Sequence, residues 1–355
     1  MYPFNSHEKN PANAYVSTST VVPTKMACRC ARRPHLASAS PLRLAVHPYV
    51  SRCYVSKGNP HASDEIDPRL EHLGRRIRDE YAHIKDHYAT PKFPIVLAHG
   101  LLGFAELRLV PGWLPAIQYW RGITDALAAN GIRVITTTVP PSASIEQRAE
   151  KLASEIADAA GGDHVNIIAH SMGGLDARYM VSHLRPANVT VRSLVTVASP
   201  HHGSSFADYL FHEIGKERLP AFYNFIDRIG METGAFEQLT SSYMVDSFNP
   251  RTPDDPDVRY FSYGAMMDRP SLFSPFRQSH SVISRVEGPN DGLVSVASSH
   301  WGSYKGTLVG VSHLDLINWT NRLRWMLQSF TGRQPGFNAI AFYLGVADML
   351  AKEGF

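Results

Sequence analysis

Cysteine is scarce in this chain. Three occur in 355 residues, Cys28, Cys30 and Cys53, all near the N-terminus. The remainder therefore forms no internal disulfide, an arrangement that fits a reducing compartment. Cys28 and Cys30 lack further Cys or His at metal-ligand spacing, so the pair reads as incidental. No run of eighteen apolar residues occurs, so no transmembrane helix is expected. Acid is nearly missing from residues 1–60, which carry eight Lys/Arg and only Glu8, while the rest holds 27 basic against 31 acidic residues. A mildly acidic body argues against nucleic acid as a partner.

Residues 1–63 are rich in Arg, Ser, Ala and Pro, the composition of a mitochondrial transit peptide. Met26 is a candidate second start, and Arg52 lies in a sequence resembling a matrix-peptidase cleavage context. A secretory signal is not expected, because the only apolar stretch, Leu42 to Val46, is short and broken by Arg43. A plain disordered tail and a cytoplasmic, lipid-associated protein are the alternative readings.

Residues 64–355 read as one α/β domain. Leu70, Leu73, Ile77, Tyr81, Ile84 and Tyr88 recur at helical spacing after Asp67 and Pro68, which predicts a helix ending near Thr90. Ile95 to Ala98 is an apolar strand, followed by a loop from His99 to Phe104. A helix around 116–129 and a strand at 132–137 follow. Ser144 and Gln147 form a capping box for the next helix, whose buried face is Ile145, Ala149, Leu152 and Ile156; Gly161 and Gly162 end it. Strands are expected at 191–198, 258–263 and 307–311, and helices at 172–185, 314–330 and 338–351. Apolar strands alternating with helices make a mostly parallel sheet covered on both faces.

One stretch carries the chemistry. Val165, Ile167 and Ile168 run into Ser171, with Ala169 two residues before it, Gly173 two after, and a helical pattern at once beyond. This is the arrangement of a nucleophile elbow, where a strand turns sharply into a helix and lifts a serine hydroxyl above the sheet edge. Such a serine needs a base and an acid, in the chain order serine, acid, histidine. Asp291, in the polar turn from Asn290 to Gly292, and His313, after the last strand, fit that order. Asp268 is the rival acid; Asp315 is placed in the first turn of the following helix. His99 and His170 read as positioning groups, and His201 and His202 as loop histidines without ligand partners. The oxyanion hole requires two backbone N–H groups, assigned to Leu101 and Met172. This acyl-enzyme chemistry calls for no cofactor.

These segments resemble a known family. Phe93 to Phe104, the elbow, residues 198–204, Asn290 to Val294, Ser298 to Gly302 and His313 to Asp315 are similar, in order, to the true lipases of Pseudomonas and Burkholderia and to intracellular fungal triacylglycerol lipases, including the mitochondrial type. The resemblance implies an α/β-hydrolase fold with a helical lid insertion, the triad Ser171, Asp291 and His313, and acylglycerol substrates met at a lipid interface. It also implies peripheral contact with a membrane or lipid droplet. The lid would be residues 205–250; Leu102 and Phe104, with Phe222 and Phe225 in the lid, are the candidate substrate contacts. Asp315 matches one calcium ligand of the bacterial enzymes, but Trp319 stands where the second belongs, so no metal is expected. A phospholipase or acyltransferase on the same scaffold, or a non-catalytic lipid- or partner-binding protein, are the competing functions.

Overall fold

Strands apolar at every position need cover on both faces, and the fold supplies it. A computed structural model describes residues 73–101, 106–107, 117–186, 188–213, 234–272, 274–319 and 336–355. All lie in the second of the two units into which the chain divides, Met1–Ala62 and Ser63–Phe355. The strands are β1 (Arg76–Ile77), β2 (Ile95–Ala98), β3 (Glu106–Leu107), β4 (Ile117–Gln118), β5 (Val134–Thr136), β6 (His164–His170), β7 (Thr190–Val197), β8 (Arg259–Met266) and β9 (Ser303–Val309). The helices used below are α1 (Ile123–Ala129), α2 (Ile145–Ala160), α3 (Gly173–Tyr179), α4 (Ser205–Glu213), α5 (Gly234–Gln238), α6 (Arg277–Val286) and α7 (Ala339–Lys352). Seven strands form one sheet in the order β1-β9-β8-β7-β6-β2-β5, and every pairing in it is parallel. β3 and β4 pair antiparallel as a separate ribbon.

Side chains alternate across a strand, so each parity packs against a different layer. Ile95 and Leu97 of β2, Ile168 of β6, Val195 and Val197 of β7, and Phe261 and Tyr263 of β8 meet α1 and α7. Val96, Ala98, Val165, Ile167, Ala169 and Leu194 meet α2 and α3 on the opposite face. α2 opens with the expected capping box: Gln147 N donates to Ser144 Oγ (3.3 Å) and Ser144 N donates to Gln147 Oε1 (3.2 Å). Gly161, at φ 65°, closes it.

Four local expectations are corrected. Within the described part of the predicted helix from Asp67 to Thr90, Arg76 and Ile77 instead pair with Thr307 and Leu308. The exposed ladder of β9 needs a partner, and β1 provides one. Leu73, Ile77, Tyr81 and Tyr88 are buried without a helix, whereas Ile84 is 52% exposed. The helix expected around 116–129 starts only at Ile123, because Gly122 is left-handed (φ 69°) and the preceding Tyr119 and Trp120 turn into the core. After His313 the chain makes one 3₁₀ turn, Asp315–Ile317, stopped by Asn318 at φ 63°. Residues 320–330 of that expected helix lie outside the described residues. The final strand begins earlier than 307, because Ser303 and Tyr304 already pair with Phe261 and Ser262.

Phe342 of α7 is wholly buried and packs edge-on against Tyr81 and Tyr263, both with ring centroids at 5.2 Å. Phe342→Ala should lower the unfolding free energy by about 3–5 kcal/mol, read by urea denaturation of the full chain. A loss within experimental error of zero would remove Phe342 from the core.

Candidate active site

The end of β6 sets the site. Ser171 N donates to Val197 O (2.9 Å), so the serine is still tied to the sheet when the chain reverses into α3. The reversal puts Ser171 at φ 56°, a left-handed conformation that costs a non-glycine residue on the order of 1–3 kcal/mol. The two small neighbours are not equivalent. A Cβ on Gly173 would sit 2.7 Å from both Ala98 O and His99 O, so glycine is required there. Ala169 pairs in register with Ala98 and Thr196, and its methyl joins the α2–α3 core, which is why alanine stands where the commoner pattern has glycine.

Asp291 and His313 meet. His313 Nδ1 donates to Asp291 Oδ2 at 2.7 Å, and His313 N donates to Asp291 O at 2.9 Å. Asp291 is fully buried, and its Oδ1 accepts from Leu293 N (3.0 Å) and Val294 N (2.8 Å). The Asn-Asp-Gly turn is thus an Asx turn and a histidine holder at once. With Nδ1–H engaged, the neutral ring of His313 has Nε2 available to take a proton. The ring of His170, next in sequence to Ser171, lies 4.5 Å from that of His313, so strand end, acid loop and histidine loop converge at one sheet edge. The rival Asp268 is exposed and has no part in this contact.

The loop after β2 is pinned from two sides by residues the sequence pattern did not single out. Gly100 N donates to Tyr119 Oη (3.0 Å), and the same hydroxyl shares a hydrogen bond with His170 Nδ1 (2.7 Å). Gly100 N–H is therefore engaged within the protein. A Cβ on Gly100 would lie 2.7 Å from Ser171 Cβ, so only glycine allows this approach. The side chain of Leu101 packs with Met172 and Leu175. Arg148, wholly buried, donates to His99 O (2.9 Å), Pro140 O (2.7 Å) and Asp176 Oδ2 (2.9 Å from Nε). It thereby fastens the start of that loop to the helix behind Ser171. The available signal was a charge on the buried stripe of α2, between Ile145 and Ala149.

The remaining candidates resolve as follows. Asp315 is buried, and its Oδ2 accepts from Ser312 N (2.9 Å) and Ser312 Oγ (2.7 Å), bracing the turn that carries His313. Among the described residues no group of three or more His, Cys, Asp and Glu is placed to hold a metal ion. His201 stacks on Trp301 and bonds Thr196 Oγ1 at 2.9 Å. Leu102, Phe104, Phe222 and Phe225 lie outside the described residues. Of the expected lid, α4 is described, and so are residues 234–250, where Ala235, Met244 and Phe248 pack onto Met172 and Leu175. Residues 214–233 lie outside the described part.

A parallel sheet with helices on both faces, a strained serine at the end of the inner strand β6 and a buried His–Asp pair at the same edge define an α/β hydrolase. A profile described as a domain of unknown function, DUF7379, matches residues 130–213. Triacylglycerol lipase 2 of Saccharomyces cerevisiae is 36% identical over 320 residues, covering 77% of this chain and 95% of the yeast protein. A triacylglycerol lipase of Burkholderia plantarii is 34% identical, covering 66% of this chain and 81% of its own. The chain belongs to the triacylglycerol lipase family. In fold it resembles the crystal structure of Staphylococcus hyicus lipase (TM-score 0.56, 18% identity, 76% of this chain and 98% of that one).

Three imidazoles are buried without charge. Burial pushes His99 down to about 4 and holds His170 and His201 well below the usual 6.5. Unfolded, these rings titrate near 6.5, so the stability they require is complete above that value and is lost as pH falls toward the folded value. Asp176 has the opposite sign. Burial raises it to about 6 despite Arg148, so the folded state gains as pH drops below that point. Going from pH 7 to pH 5 should cost roughly 2 kcal/mol at His99 and return roughly 1 kcal/mol from Asp176, with His170 and His201 adding to the loss. Urea denaturation at both pH values measures the difference, and undiminished stability at pH 5 would refute the neutral rings.

Proposed function

We propose that this protein is a serine ester hydrolase acting on acylglycerols, a triacylglycerol lipase, with Ser171, His313 and Asp291 as its triad. The bond from His313 Nδ1 to Asp291 at 2.7 Å, beside the turn that holds Ser171, carries this reading. In the first half-reaction Ser171 Oγ attacks the ester carbonyl carbon while His313 Nε2 takes the hydroxyl proton. Negative charge collects on the carbonyl oxygen, where the N–H groups of Leu101 and Met172 stabilise it. The tetrahedral species collapses, His313 returns the proton to the departing glycerol oxygen, and an acyl-serine remains. Water, deprotonated by His313, then attacks the acyl carbon; the acyl–oxygen bond to Ser171 breaks, His313 returns the proton to Ser171 Oγ, and the fatty acid leaves. Asp291 holds the imidazole with Nε2 toward the reacting centre and stabilises its protonated form.

The substrate class follows from kinship, since the relatives at 36% and 34% identity are named triacylglycerol lipases. We assign residues 205–250 to a lid that admits lipid at an interface. The acid-poor, arginine-rich residues 1–63 supply a mitochondrial address.

A fluorophosphonate probe should label the purified protein, and Ser171→Ala should abolish the labelling. Asp291→Asn and His313→Ala should each lower kcat by about 10³- to 10⁴-fold with the fold intact by circular dichroism. Near-normal turnover in either variant would remove that residue from the triad. Emulsified triolein, phospholipid and short p-nitrophenyl esters, assayed side by side, test the substrate; faster cleavage of phospholipid than of triolein would overturn the triacylglycerol assignment. Residues 1–63 fused to a fluorescent reporter should direct it to mitochondria, and a diffuse cytosolic signal would refute the address.

A further inference from the structure

Between the end of β8 and the Asp291 loop the chain inserts α6 and the segment leading into it. Together with Tyr209 of α4, these residues wall a cavity of about 840 Å³. Among the described residues its lining includes Arg269, Arg277 and Arg285 and no aspartate or glutamate. All three arginines are exposed, and none is in an ion pair among the described residues. The two acids adjoining this segment are directed elsewhere. Asp268 lines the neighbouring cavity, which Arg269 also borders, and Glu287 accepts from Ser205 N (2.6 Å) and from Ser295 Oγ. His280, also in the lining, is held below its usual value by burial and adds no charge near neutrality.

This concentration of positive charge runs against the body around it, where acids outnumber bases 31 to 27 after residue 60. Planar guanidiniums grip phosphate oxygens in pairs. The surroundings also suit lipid. Pro270, Pro275 and Val282 contribute apolar wall, Leu272 is 69% exposed at the cavity, and Val286 is 66% exposed at the end of α6. The position suits a surface-acting enzyme as well. The segment leaves β8 at the sheet edge where Asp291 and His313 meet: Met267 N bonds Asn290 O (2.9 Å), and Gln278 Nε2 reaches Tyr209 Oη of α4, the first helix of the assigned lid (3.3 Å).

We propose that this groove docks the phosphate headgroup of an anionic phospholipid, so that the enzyme settles on a negatively charged lipid surface with its triad edge toward the lipid. The proposal rests on the reading of the chain as a lipase that works at an interface. Exposed Leu272 and Val286 enter the headgroup layer while the arginines take the phosphates.

Full-length protein carrying Ser171→Ala, to prevent hydrolysis, should be sedimented with phosphatidylcholine vesicles with and without phosphatidylglycerol. Replacing Arg269, Arg277 and Arg285 together by Gln should weaken binding to the phosphatidylglycerol vesicles roughly 100-fold, and each single replacement roughly fivefold. Binding to pure phosphatidylcholine should not change. The basic N-terminal residues are the same in every variant, so the difference reports the groove. In the background that retains Ser171, the triple variant should cleave a soluble p-nitrophenyl ester at the wild-type rate, which shows that it is folded. The triple Arg→Lys variant, which keeps the charge but loses the paired guanidinium contacts, should bind phosphatidylglycerol vesicles more weakly than the wild type and more tightly than the Gln variant.

Unchanged binding of the triple Gln variant to phosphatidylglycerol vesicles would overturn the proposal. So would an equal loss on phosphatidylcholine, or loss of the difference on adding millimolar inorganic phosphate, which would mark a site for the free anion. Vesicle binding that depends on the arginines in a protein with no ester cleavage would count against the lipase reading and leave the groove standing.

Discussion

The close approach of two backbones beneath Ser171 is the constraint on which the site depends. The loop after β2 and the first residues of α3 lie so near each other that a single added carbon at Gly173 would collide with two carbonyl oxygens, and one at Gly100 with the serine itself. An approach of this kind is unfavourable by itself, because it places carbonyl dipoles close together and holds Ser171 in a strained conformation. It therefore has to be enforced by its surroundings. Two buried groups do so from opposite directions: Tyr119 takes the Gly100 N–H, and the Arg148 guanidinium takes the His99 carbonyl while it grips α3 through Asp176.

These enforcing groups explain why so much polar material is buried in a core that is otherwise aliphatic and aromatic. A buried ion pair such as Arg148–Asp176 gains little net stability over an apolar pair of the same size. Its return is geometric, because one planar guanidinium fixes three chain segments at once. The same reasoning applies to the acid loop. Asp291 spends one oxygen on two backbone amides of its own turn and the other on His313, so neither the carboxylate nor the imidazole is free to rotate. Strain at one residue is thus held by well-satisfied polar contacts at its neighbours, and the His313–Asp291 pair is fixed by the protein's own bonds.

Much of this was legible in the sequence, for physical reasons that differ by element. The strands β2, β6 and β7 announced themselves as apolar runs because both their faces are covered, and the capping box of α2 is a purely local device that no tertiary contact alters. The elbow and the partners Asp291 and His313 were readable because steric and tautomeric demands restrict which residues stand there and in what order. What failed were helices inferred from spacing alone. Ile77 and Tyr81 are buried, but by a chain laid along β9 and under α7, and periodicity cannot tell such a loop from a helix. The expected helix 116–129 lost its first turn to Gly122, whose left-handed backbone was open to it only because it has no side chain. Tyr119 and Arg148 escaped notice because their importance lies in the one backbone group each touches far along the chain.

The β8–β9 connection shows how a single insertion serves two ends. A parallel sheet of this kind delivers every strand end of the same sense to one edge, so a connection that stays at that edge can carry a catalytic acid and still have residues to spare. Here the acid turn is tied down by Met267 and His313 backbone bonds and by Asn290 Nδ2, which donates to Ser284 Oγ of α6 (2.9 Å). The outer face of α6 carries arginines that are in no ion pair among the described residues, beside a helix of the assigned lid. In the proposed docking, charge placed there sets the orientation of the whole molecule at a surface. The same helix steadies the acid turn through Asn290, so one insertion links the docking face to the loop that carries Asp291.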